Sequence, residues 1–148
     1  MKNAIIDDFM TYSPHTVNSG LPLDAARKLM KKYGVRHLPV QMAGHLVGVV
    51  SDRDLKFAMS FDKGGKLLVD DVMTPDPYTV APGTPLGEVV GKMASSAFGS
   101  AVVQQSNGRV VGIFTATDGL RAIAERYFEK TYARKRKPAA KKSKEAQA

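Results

Sequence analysis

The sequence predicts an α/β (α+β) protein: two tandem β-α-β-β-α repeats packed through their sheets, followed by a disordered basic C-terminal tail. Three observations carry this. The chain of 148 residues resembles itself at a spacing of 63 to 64 residues. Each copy holds an amphipathic helical period and then two short apolar runs across a glycine-containing turn. The positive charge gathers beyond residue 128.

The repeat is read from matched pairs. Asp8-Phe9-Met10-Thr11 returns as Asp71-Val72-Met73-Thr74, followed closely by Pro14 and Pro75. Thr16-Val17 returns as Thr79-Val80, Pro22-Leu23 as Pro85-Leu86 and Met30 as Met93, all 63 residues apart. Gly44, Gly48, Ser51 and Asp54 match Gly108, Gly112, Thr115 and Asp118 at 64, one residue being inserted near Ser106-Asn107-Gly108. A unit of about 60 residues buries too little surface to be comfortable alone, so the copies are expected to pack together. Repeat 1 is placed at 1–61, a linker loop at 62–66 and repeat 2 at 67–128.

The elements follow in order. Thr16-Val17 and Thr79-Val80 are the first short strands. From Leu23 to Tyr33, the residues Leu23, Ala26, Met30 and Tyr33 share one helical face, and Gly34 ends the helix. Its counterpart opens at Thr84-Pro85, read as N-cap and first-turn proline, and runs to about Ala97 before Gly99. The hairpins are Leu38–Gln41 with Leu46–Val50 across Ala43-Gly44, and Ala101–Gln104 with Val110–Phe114 across Asn107-Gly108. A second helix follows each hairpin, from Asp52 to about Phe61 and from Thr117 to about Tyr132. Asp70-Asp71 reads as a cap on a short turn or helix. Met30 and Met93 read as core.

Charge and composition exclude several functions. The chain has 22 basic and 14 acidic residues, a net charge of +8, and no Cys. Disulfides, thiolate metal sites and a cysteine nucleophile are therefore ruled out. The apolar runs fall far short of the ~20 residues needed to span a bilayer. With no basic-then-apolar segment at its start, the chain is expected to be soluble and cytoplasmic, with no membrane partner. Residues 129–148 hold eight basic side chains against Glu129 and Glu145, so the tail carries +6 and the body only +2. The stretch 134–144 lacks large apolar groups to offset ordering, and like-charge runs such as 130–144 often bind nucleic acid or other polyanions loosely.

Chemistry concentrates where each hairpin feeds its second helix. Gly48-Val-Val-Ser-Asp-Arg-Asp54 and Gly112-Ile-Phe-Thr-Ala-Thr-Asp118 repeat the pattern G-x-x-[ST]-x-x-D. One reading is a capping box, in which hydroxyl and carboxylate satisfy free amides at the helix start. It gives no reason for the glycines beyond a close backbone approach. The other reading is a nucleotide site: amides and a hydroxyl at a helix start attract phosphate, and a carboxylate one turn in can accept from a ribose diol. Arg53 adds a cation that Thr117 lacks.

These residues carry a resemblance. With the Asp-Phe-Met-Thr and Asp-Val-Met-Thr-Pro openings and Gly34-Val-Arg-His-Leu-Pro-Val40, the two segments resemble a tandem CBS-domain pair, the Bateman module, over about Ile5 to Tyr127. The resemblance implies a stand-alone regulatory module that binds an adenine nucleotide (AMP, ADP or ATP) in the cleft between its repeats. Signalling would pass through changed dimer or partner contacts. It places Asp54 and Asp118 on ribose hydroxyls, and Ser51, Thr115 and Arg53 on phosphates. Thr16, Val17, His37, Leu38, Pro39 and Val40 would frame one base pocket, and Thr79, Val80, Ser100, Ala101 and Val102 the other. Val102 departs from Pro39, and Thr117 from Arg53, so the second site is expected to take less phosphate or stay empty. Members commonly form head-to-head homodimers, which the apolar helix faces permit.

His15, His37 and His45 show no metal-ligand spacing and read as surface or pocket-lining. No Ser-His-Asp, Walker-type or paired-carboxylate set stands out, so no enzyme is expected and no cofactor is required. The alternative function is polyanion binding through the tail, with the repeats as a dimerising scaffold.

Overall fold

The computed structural model describes residues 3–128, and the basic tail and the helix end expected near Tyr132 lie outside them. In chain order, a 3-10 turn (Ile6–Asp8) precedes β1 (Thr11–Tyr12), β2 (Val17–Asn18), α1 (Leu23–Tyr33), β3 (His37–Met42), β4 (His45–Ser51) and α2 (Asp52–Met59). Then come α3 (Val69–Val72), β5 (Thr74–Pro75), β6 (Thr79–Val80), α4 (Leu86–Ser96), β7 (Ser100–Gln104), β8 (Val110–Thr115) and α5 (Ala116–Phe128). This is a mixed α+β chain with two sheets and five α-helices among the described residues.

The described residues form two compact units, 15–77 and 3–14 with 78–128. In the first, the sheet runs β2-β3-β4-β5; in the second, β1-β8-β7-β6. Strands β2 on β3 and β6 on β7 are parallel, and all other pairings are antiparallel. Thus each sheet takes three strands from one sequence repeat and an edge strand from the opening of the other. Thr11 lies opposite Ile113, and Thr74 opposite Val49. The sequence repeats and the packing units are different partitions of the chain.

That exchange explains the two glycines. A Cβ on Gly48 would sit 2.5 Å from Met73 Sδ and 2.8 Å from the Thr74 carbonyl. A Cβ on Gly112 would overlap the side chain of Met10. Each methionine of the repeated opening therefore fills the space left by a glycine in the strand it pairs with.

Each unit has its own core. Leu23, Ala26 and Met30 of α1 pack on Leu38, Val40, Val50 and Leu55. Leu86, Val89 and Met93 of α4 pack with Ile6, Met10, Ala101, Val103 and Phe114. The periodicity of the two helices is thereby met by sheets whose inward residues are apolar.

Several boundaries move from the sequence expectation. Thr84 is not the N-cap of α4. Its hydroxyl donates to the Ala81 carbonyl at 2.6 Å inside a turn, and Pro85 takes the cap position instead of the first turn. The end of α4 does fall where expected, at Ser96, but its left-handed cap is Ala97 (φ 55°), a position that α1 gives to Gly34 (φ 64°). Helix α2 stops at Met59, Ser60 turning its hydroxyl onto the Phe57 carbonyl. The first strand of unit 15–77 is Val17–Asn18, paired with Val40 and Gln41, and the Thr16 hydroxyl donates to Gln41 Oε1 at 3.3 Å. The acidic pairs behave as caps: Asp71 accepts from the Leu68 amide at 2.9 Å and Asp8 from the Ile5 amide at 3.0 Å.

Candidate functional site

In unit 15–77, the hairpin register sets His37 opposite Ser51 at the open end of β3 and β4. The Asp52 amide donates to the Arg36 carbonyl at 2.8 Å, pinning the start of α2 beside that end. Ser51 is extended (φ −105°, ψ 156°), and its Oγ accepts from the Asp54 amide at 3.1 Å. This is the hydroxyl half of a capping box. The Asp54 carboxylate is half-buried and takes no hydrogen bond or ion pair among the described residues. Arg53 is exposed, and Asp52 pairs with Lys56 at 2.9 Å.

The other unit repeats the frame with different bonds. Ser100 lies opposite Thr115, and the Ala116 amide donates to the Gly99 carbonyl at 3.1 Å. Here the carboxylate half of the box forms: Asp118 Oδ2 accepts from the Thr115 amide at 2.9 Å and from the Thr115 hydroxyl at 3.2 Å. The Arg121 guanidinium holds Asp118 Oδ1 at 3.1 Å. Asp118 is only 2% exposed, whereas Thr117 lies open.

The expected base-pocket residues also differ between units. Thr16, Val17, Leu38, Pro39 and Val40 are buried, with Val17 opposite Val40 and His37 half-buried. Thr79 is exposed and Val80 half-buried, while Ala101 and Val102 are buried and Ser100 is half-buried. The Val102 amide donates to the Tyr78 carbonyl at 2.9 Å. Pro39 has no N–H, so the corresponding bond to the His15 carbonyl cannot form.

His15 joins this set. It is buried and stacked on Tyr33 with ring centroids 3.5 Å apart, and its Nδ1 has no partner. Burial first, and then the Lys32 charge, hold its pKa below the ordinary 6.5. Its signal in the sequence was its place before Thr16-Val17, matching Tyr78 before Thr79-Val80. Among the described residues, no group of three or more His, Asp or Glu side chains could hold a metal ion. No described helix is long and apolar enough to cross a membrane.

The model of the CBS domain matches residues 6–60 and 69–125, most of the chain. The chain belongs to the CBS domain family. Its two CBS domains in tandem correspond to the two sequence repeats. It is 38% identical over 114 residues to the inosine-5′-monophosphate dehydrogenase of Korarchaeum cryptofilum, covering 77% of this chain but 22% of that enzyme. Thus the CBS pair spans about a fifth of that enzyme's length. A CBS domain-containing protein of Dictyostelium discoideum is 29% identical over 77% of this chain and 87% of its own. Among solved structures, the CBS-pair protein CBSX2 of Arabidopsis thaliana in complex with AMP is 31% identical, with a TM-score of 0.67 over 82% of this chain and 96% of that one. A CBS domain pair in complex with 5′-methylthioadenosine and S-adenosyl-L-methionine superposes with a TM-score of 0.74 at 27% identity, covering 81% of this chain and 99% of that one.

Proposed function

We propose that this CBS pair is a regulatory module that senses an adenosyl ligand of the AMP, ADP or ATP type. The observation that carries this is the Ser51–Asp54 loop, where a helix start, an exposed Arg53 and an unpartnered Asp54 carboxylate stand within four residues. The first amides of α2 and the Arg53 cation suit phosphate. The Asp54 carboxylate suits a ribose diol, and buried Val17, Leu38 and Pro39 offer the apolar wall a base requires. Relatives solved with AMP and with S-adenosyl-L-methionine support the ligand class.

Binding would act by favouring one conformation or dimer geometry over another. Apolar side chains on α5 (Leu120 at 68% exposure, Ile123 at 48%, Tyr127 at 74%) supply surface for a second copy. Thermal unfolding with AMP, ADP, ATP, NAD and S-adenosylmethionine tests the proposal. A true ligand at a hundred times its Kd adds about 2.7 kcal/mol of stability. A raised midpoint that Asp54→Ala abolishes is the expected result. No shift with any of the five overturns it.

A second function rests on the +6 carried by residues 129–148. Polyanion binding through that segment would weaken steeply with salt and vanish when 129–148 is deleted. Binding that survives the deletion contradicts it.

A further inference from the structure

We propose that the chain takes one adenosyl ligand, at the Ser51–Asp54 loop, and that Arg121 keeps the Asp118 loop closed to a second. The inference rests on the sensing role proposed above and concerns its count and location.

The two loops have the same backbone frame but opposite chemical states. Around Asp118, the carboxylate is 2% exposed and already accepts from the Thr115 amide, the Thr115 hydroxyl and the Arg121 guanidinium. A ribose diol would compete with donors that are in place, one of them charged, and would have to uncover a buried group. Around Asp54, no such donors exist among the described residues, so a diol replaces water alone. The position corresponding to Arg121 is Phe57, which is 72% exposed and cannot donate to a carboxylate.

Two further differences act in the same direction. Arg53 stands exposed beside Ser51, whereas the second loop offers Thr117 and no cation for a phosphate. At the strand beside each loop, Val102 donates to the Tyr78 carbonyl, while Pro39 leaves the His15 carbonyl without that bond. A donor on a bound base therefore meets a carbonyl free of that bond in one unit and one that already accepts an amide in the other. Arg121 is thus a specificity-determining residue that acts through Asp118, by occupying it.

The test is isothermal titration of the full chain with AMP, and in parallel with S-adenosylmethionine. One site per chain in the wild type is expected, weakened at least tenfold by Asp54→Asn. Arg121→Gln is expected to raise the count to two, with folding checked by circular dichroism. Two sites in the wild type, or one site insensitive to Asp54→Asn, overturn the inference while leaving adenosyl sensing intact. A folded Arg121→Gln protein that still binds once removes the role given to Arg121. Should that variant not fold, the wild-type count and the Asp54→Asn result decide alone. No binding of either ligand, together with no thermal shift from ADP, ATP or NAD, overturns the sensing role itself.

Discussion

The sulfur of Met73 occupies the space that a side chain on Gly48 would need, and Met10 stands in the same relation to Gly112. Each contact ties the opening of one sequence repeat to a hairpin strand of the other, through β5 on β4 and β1 on β8. These glycines are therefore structural partners of the repeated Asp-x-Met-Thr motif. Gly48→Ala forces Met73 and the Thr74 backbone aside and is expected to cost about 1–3 kcal/mol. Met10→Ala, which empties a buried site, is expected to cost about 2–5 kcal/mol. Urea unfolding measures both. A Gly48→Ala protein as stable as the wild type would show that the contact relaxes freely.

Ala97 occupies the left-handed cap that α1 gives to Gly34. An L-residue there bears a penalty that glycine escapes. Ala97→Gly is expected to stabilise the protein by roughly 1 kcal/mol, and Gly34→Ala to destabilise it by a similar amount. Thermal midpoints check the pair, and a fall with Ala97→Gly would contradict it.

His15 makes stability depend on pH in a definite direction. Its folded pKa lies below the unfolded 6.5, through burial and the Lys32 charge, so below pH 6.5 the unfolded chain binds the proton more readily. The neutral imidazole imposes no penalty above pH 6.5. Stability then falls as pH drops through 6.5 toward the folded pKa, by up to about 1.4 kcal/mol per pH unit. His15→Phe keeps a ring on Tyr33 and is expected to flatten this part of the profile. Denaturant titrations between pH 7.5 and 5.5 on both proteins check it, and parallel profiles would assign the slope to other groups.

Homodimer formation is tested through α5. Light scattering behind size exclusion is expected to give twice the chain mass, and Leu120→Glu with Ile123→Glu to give the monomer. Those side chains are exposed, so the pair is expected to leave the fold intact. A monomeric wild type contradicts the dimer, and a dimer unaffected by both changes contradicts the part given to α5.

Much of this was legible in the sequence because it is local. The α1 face, its Gly34 cap and both hairpin turns depend on neighbours a few residues away, and they fall where periodicity and turn chemistry put them. Strands β1 and β5 were not foreseen. Two residues show no alternation, and Thr11 finds its partner Ile113 only through the tertiary fold. Thr84 misled because a hydroxyl before a proline also suits a turn, which is where it bonds. At the candidate site, the twin G-x-x-[ST]-x-x-D segments announced both helix starts. They gave no hint that one carboxylate would be left open and the other bound by Arg121, a difference decided by side-chain packing three residues on.

A crystal structure of the full chain grown with AMP tests adenosyl sensing most directly. The expected result is density for the nucleotide at the Ser51–Asp54 loop, with ribose oxygens at hydrogen-bonding distance, about 2.5–3.0 Å, from the Asp54 carboxylate. AMP bound at neither loop would contradict it, and AMP bound only at the Asp118 loop would contradict its placement at Ser51–Asp54.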